Sequence, residues 1–230
     1  MEHNSNFRTF LFISLKKLTI ISSYKSNFKI IYKKEIFIEN ESNSLAYGKI
    51  NEFIKTNIFL LEKKLNDFVK DIILIIDSND FFTVRISVKQ KDTQKILSLE
   101  TLSHLLNNAK NLCKNTIHQK KIVHMLIDNY LIDNNNHSHL PSEMKYNDFS
   151  IEVRFICFPE DLIKIFEKIL SNYHINISDI LSANYIKKFS VDENCDIFNM
   201  ADKIMNGYNR NEVKIVEKSL KNRGFFEKFF

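Results

Sequence analysis

The sequence predicts an α+β fold built as a mixed-sheet unit, a smaller α+β unit and a C-terminal tail. Three observations carry this. Residues 7–38 hold three short runs rich in Phe, Ile and Thr, divided by polar stretches, as successive strands are. Helical periodicity and strand patterns then alternate as far as residue 189. Beyond that point the composition changes, and the chain finishes "KNRGFFEKFF".

The runs "FRTFLFIS", "KLTIISSY" and "FKIIYKKEIFIE" read as the first three strands. Residues 45–69 place Ile50, Phe53, Ile54, Ile58, Leu61, Leu65 and Phe68 at the spacing of one helix face. The continuous apolar run "DIILIID" (71–77) has the pattern of a strand buried on both faces, and "FFTVRISVKQ" (81–90) alternates like an outer one. Three strands, a helix and a further strand match the opening half of a ribonuclease-H or actin type domain, an analogy of topology.

The polar break "KDTQ" (91–94) closes this unit, 1–94. Ser98 is placed to cap a helix reaching about Lys114, with Glu100 in its first turn and Leu102, Leu105, Leu106, Ala109 and Leu112 facing inward. "KKIVHMLIDNYLID" (120–133) is a strand or a strand pair, "NNNHSHLPSEMKYND" an exposed loop, and "FSIEVRFICF" (149–158) a strand. Pro159 opens a helix with Leu162, Ile165, Phe166, Ile169 and Leu170 on its buried side. A strand over 175–189 then completes a second unit, 95–190. In 191–230, "VDENCDIFNMADKIMNG" reads as a helix ended by Gly207 at C′. A short strand or linker follows, and then the tail.

Composition bounds the chemistry. The 230 residues include only 3 Gly and 2 Pro, and neither GxGxxG nor GxxxxGK[ST] occurs. The net charge of +5 does not by itself argue for nucleic acid. Cys113, Cys157 and Cys195 are odd in number and widely spaced, which reads as reduced thiols in a cytosol. The apolar run near the N-terminus is too short for a signal or a span.

Two stretches resemble the bacterial actin-like cell-division family FtsA. One is "LSLETLSHLLNNAKNLCKNTIHQKKIVHMLIDNYLID", with His124, Tyr130 and Asp133 at matching places. The other is "DFSIEVRFICFPEDLIKIFEKILSNYHINISDILSANYIKKF". Residues 95–189 are similar to the family's inserted 1C, or SHS2, module, and 7–90 more weakly to its first actin-like subdomain. The resemblance implies a partial actin-like subdomain, an SHS2-like module that self-associates into homo-oligomers, division-machinery partners, and a membrane-targeting helix at the end. It also implies a cytoplasmic protein held peripherally on the inner face of the cell membrane.

The departures matter as much. Where the family has a Gly/Asp phosphate loop, "FLFISLKK" (10–17) offers no glycine for backbone approach and no carboxylate for a metal. The resemblance finds no counterpart in these 230 residues for the second half of the actin fold, where the family docks FtsZ. Neither ATP binding nor FtsZ docking is therefore expected to carry over. The expectation is therefore no enzyme activity, no cofactor, no metal and no small-molecule substrate.

The tail is the candidate site. On a helix, Phe225, Phe226, Phe229 and Phe230 fall at about 0°, 100°, 40° and 140°, one apolar stripe with Glu227 and Lys228 opposite. Residues 214–230 carry a net +3, from Lys214, Lys218, Lys221, Arg223 and Lys228 against Glu217 and Glu227. Basic residues beside bulky aromatics suit an interfacial helix on an anionic membrane surface. The membrane-binding set is Lys221, Arg223, Phe225, Phe226, Lys228, Phe229 and Phe230. A protein-binding peptide on a soluble adaptor or nucleic-acid-binding module, and a terminus docked on the core, stay open as alternatives. A relative of the pilus-assembly or secretion ATPases that share the actin-like parent, which would bind nucleotide, stays open too. So short a helix binds weakly alone, and stable attachment needs several tails.

The remaining candidates have plainer readings. His137 and His139 lack a third ligand cluster, and His124 reads as a packed histidine. Asp77 and Asp80 resemble a turn after a buried strand rather than a two-metal nuclease site. The lysines of "KLTIISSYKSNFKIIYKK" could suit single-stranded nucleic acid, or could protect a sheet edge.

Overall fold

A computed structural model describes residues 6–39, 45–96, 98–140, 145–189 and 196–214. The chain opens with β1 (Phe7–Ser14), β2 (Lys17–Tyr24) and β3 (Ile30–Phe37), paired antiparallel in sequence order. Helix α1 (Tyr47–Leu65) carries the chain back to β4 (Asp71–Asp77), which lies parallel to β1 with Phe10 opposite Ile73. The helix stops where Asn66 turns left-handed at φ 53°.

A second sheet follows, formed by β5 (Phe82–Ile96), β6 (Lys120–Ile132), β7 (Asn135–His137) and β8 (Lys145–Pro159), with α2 (Leu99–Thr116) between β5 and β6. Its order is β5-β8-β6-β7, antiparallel throughout. The chain then returns through α3 (Glu160–Ser171) to β9 (Asn176–Ser182), α4 (Ala183–Lys187) and α5 (Ile197–Met205). β9 pairs parallel with β4, so the first sheet has the order β3-β2-β1-β4-β9.

That order, three antiparallel strands followed by two parallel ones with helical crossovers, is the ribonuclease-H type arrangement expected from the first ninety residues. The fold is α+β, with two sheets and five helices among the described residues. Alternation sets the layers. Leu11, Ile13, Leu74 and Ile76 face α1 and α3, and Phe10, Phe12, Ile73 and Ile75 face α4 and α5. A strand buried on both faces must be apolar at every position, and residues 72–76 of β4 are all buried.

The pairing corrects the second unit. A boundary at 94/95 assigns α3 and the returning strand to the unit 95–190. In the structure β9 joins the first sheet, and α3 packs Ile163, Phe166 and Leu170 into that sheet's core. The smaller sheet is an insertion between β4 and α3, and β5 belongs to it. Residues 183–187, expected to continue the strand, form α4, started by Ser182 Oγ accepting from Tyr185 N–H.

Local details differ at three further places. Phe68, expected on the buried face of α1, lies beyond its last turn and is 73% exposed. On α2, Cys113 is buried and Leu112 is 44% exposed, because the stripe Leu105–Ala109–Cys113 continues at i+4. On α3, Ile163 takes the fully buried place and Ile165 is half-buried. Ser98 caps α2 by accepting from Thr101 N–H, and Gly207 follows α5 at φ +86°, both as the sequence indicates.

Candidate functional site

The carboxyl ends of the parallel strands of an open sheet are where such folds bind ligands. Here those ends are Ser14, Asp77 and Ser182. The turn after β1 closes on itself. Ser14 Oγ accepts the amides of Lys17 at 2.9 Å and Lys16 at 3.4 Å, and donates to the Lys17 carbonyl at 3.1 Å. Amides that could cradle a phosphate thus point at a serine of their own turn. Asp77 is held by Lys187 of α4 at 2.8 Å, and Asp80 accepts from Ser78 Oγ.

The densest polar construction lies where the two sheets meet. After α5 the chain crosses to β6, beside the stretch that precedes its pairing with β7. Ile127 N–H donates to the Asn211 carbonyl at 2.9 Å, and Val213 N–H to the Met125 carbonyl at 2.8 Å. Glu212, bridged antiparallel to Leu126, turns its carboxylate inward. One oxygen meets His124 Nδ1 at 2.7 Å and the other accepts from Tyr185 Oη at 2.7 Å. Asn209 Nδ2 donates to Tyr185 Oη at 2.8 Å, and Ser182 N–H donates to His124 Nε2 at 3.1 Å.

The bonding fixes the tautomer. Nε2 must present a lone pair to the Ser182 amide, so Nδ1 carries the proton and donates it to Glu212. His124 is 2% exposed and its ring lies 4.3 Å from that of Tyr185. Burial, with the Glu212 carboxylate acting in the same direction, pushes the Tyr185 phenol above its usual range. These groups satisfy one another's hydrogen bonds. The histidine read as packed is the centre of a junction joining β6, β9, α4 and the 209–213 segment.

Beside the junction opens a cleft of about 630 Å³. Lys110 and Lys114 reach it from α2, Lys120 and Lys121 from β6, and Lys214 from the crossing segment. Met125, Leu181 and Ile204, each under 5% exposed, are among the residues lining it. Glu160, Asp179 and Glu212 are its carboxylates. Sequence reading counts Lys214 with the basic tail and does not single out the other four. Lys110 and Lys114 share a helix face at i,i+4, but nothing local links them to Lys214.

The other sequence candidates fall elsewhere. Lys221, Arg223, Phe225, Phe226, Lys228, Phe229 and Phe230 lie outside the described residues. His137 is on β7 and His139 in the following turn, bonded to Ser138 Oγ at 2.8 Å. Among the described residues no group of His, Cys, Asp or Glu forms a metal-binding cluster. Lys33 and Lys34 are exposed on β3, the edge strand of the first sheet, where lysine blocks mispairing. Cys113 and Cys157 are free and buried. No helix among the described residues is long and apolar enough to cross a membrane.

No protein-family profile matches the chain, and no curated protein does. Among solved structures, the chain is similar to the cytoplasmic domain of EpsL, an inner membrane component of the type II secretion system of Vibrio cholerae. That similarity has 7% identity over 78% of this chain and 58% of the other, with a TM-score of 0.39. A PilM–PilN type IV pilus biogenesis complex matches at 8% identity over 78% and 48%, with a TM-score of 0.45. A Bacteroides thetaiotaomicron protein with an actin-like ATPase fold and unknown function matches at 13% identity over 81% and 56%, with a TM-score of 0.34. The chain spans about half the length of these structures.

Proposed function

We propose that the chain is a non-enzymatic, FtsA-like assembly protein of the cell-division machinery. It self-associates and tethers that machinery to the inner membrane through residues 221–230. The observation that carries this is the pairing of a first sheet in β3-β2-β1-β4-β9 order with a β1–β2 turn whose amides are spent on Ser14. An actin-type scaffold is kept while the turn that would hold a nucleotide phosphate is closed. The inserted sheet β5-β8-β6-β7 is the assembly module. The crossing segment 209–214, fastened at His124 and Tyr185, sets where the tail leaves the body.

Two measurements test this. Co-sedimentation with anionic liposomes, compared between the intact chain and one lacking residues 221–230, should show binding that depends on the tail and rises with oligomer formation. Absence of binding even for the oligomer removes the tether. Titration with ATP should show no saturation, and a saturable affinity overturns the reading of the Ser14 turn.

A further inference from the structure

We infer that the body makes its own contact with the membrane: the lysine-lined cleft between α2, β6 and the 209–214 segment takes the phosphate of an anionic glycerophospholipid headgroup. This rests on the tether reading and adds a second binding element to it. Lys110 and Lys114 form no ion pair among the described residues, and Lys121 faces Asp179 without reaching ion-pair distance. Of the cleft's lysines, Lys214 donates to the Met205 carbonyl and Lys120 lies over the Phe82 ring. Of its three carboxylates, Glu212 is committed to His124 and Tyr185, so Lys110, Lys114 and Lys121 are left facing only Glu160 and Asp179.

The size is that of a small-ligand site, in the range of roughly 300–1,000 Å³, and apolar side chains line it among the lysines. That combination suits a phosphodiester with its glycerol backbone. Position points the same way. Lys214 lines the cleft and is followed directly by the segment leading to the tail. Six residues, 215–220, reach at most about 20 Å, so a tail lying in the interface keeps the cleft near the same headgroups. The tail itself is a poor occupant, because its net positive charge is repelled by the lysines.

The experiment is co-sedimentation of the full chain with vesicles of phosphatidylcholine alone and of phosphatidylcholine with 30% phosphatidylglycerol. Two variants are compared with it: Lys110→Glu/Lys114→Glu/Lys121→Glu, and Phe225→Ser/Phe226→Ser/Phe229→Ser/Phe230→Ser. The lysine variant should lose at least about tenfold in affinity for the anionic vesicles, each surface cation contributing roughly fivefold. Its far-UV circular dichroism should stay unchanged and its tail is intact.

If the lysine variant binds like the parent while the phenylalanine variant does not, the cleft proposal is overturned and the tether reading stands. If the lysine variant fails and the phenylalanine variant binds as well as the parent, the cleft stands and the tail anchor falls. Glycerol 3-phosphate competing at millimolar concentration supports a headgroup phosphate. Saturable binding of poly-glutamate with no vesicle binding overturns the lipid assignment in favour of an acidic protein partner.

Discussion

His124 Nδ1 and Glu212 Oε1 stand 2.7 Å apart although 88 residues separate them in sequence, and the pair fastens the 209–213 segment across both sheets. Glu212 keeps only 13% of its side chain in solvent. Removing its donor leaves a nearly buried carboxylate short of a partner. His124→Ala should therefore cost about 2–4 kcal/mol in urea unfolding, and Glu212→Gln, which keeps an acceptor and the shape, about 1 kcal/mol. A double-mutant cycle between the two should return a coupling above about 1 kcal/mol. A coupling near zero would mean that the contact is not made in solution.

Phe166 decides where α3 belongs. It is 1% exposed in the core shared with Leu11, Leu74 and Ile76. Phe166→Ala should cost about 3–5 kcal/mol, and Ile165→Ala, at a half-buried position, clearly less. Hydrogen exchange on Phe166→Ala should accelerate in β1 and β4 before β5. The opposite order would return α3 to the smaller sheet.

This division marks what the sequence could say. The strands over 7–38, α1, β4 and the caps at Ser98 and Gly207 are written in local periodicity and turn chemistry. The partner of β9 is not, because Asp71 pairs with Asn176 across a hundred residues and no local rule encodes that choice. An apolar strand looks the same whichever sheet receives it. The candidate site divides likewise. The tail stands out as four phenylalanines beside lysines. The cleft exists only once α2, β6 and the 209–214 segment converge, and each of its lysines alone reads as a solvated side chain.

Asp128 sits between two arginines of the inserted sheet, 2.8 Å from Arg154 Nη2 and 3.8 Å from Arg85 Nε. The two contacts should differ in worth. Arg85 is 74% exposed, so Arg85→Ala should fall within about 0.5 kcal/mol of the parent. Arg154 is 27% exposed, and its loss leaves Asp128 only the longer, exposed contact to Arg85. Arg154→Ala should cost about 1–3 kcal/mol by urea unfolding. Equal effects would contradict this geometry.

Alkaline pH should unfold the protein through groups that fold protonated. Burial pushes the Cys157 thiol from its ordinary 9.0 up to about 12, and the neighbouring Cys113 adds to the rise. Cys113, Tyr130 and Tyr185 are also raised, each chiefly by burial. Below about pH 9 both folded and unfolded chains keep the Cys157 proton, and stability does not change on its account. Above that, the unfolded chain releases the proton and the folded chain holds it. Stability then falls as pH rises toward 12, by about 1.4 kcal/mol per pH unit for this group alone. Cys157→Ala should make the urea midpoint flatter between pH 9 and 11 than in the parent. Identical slopes would show that the thiol titrates as freely in the folded chain as in the unfolded one.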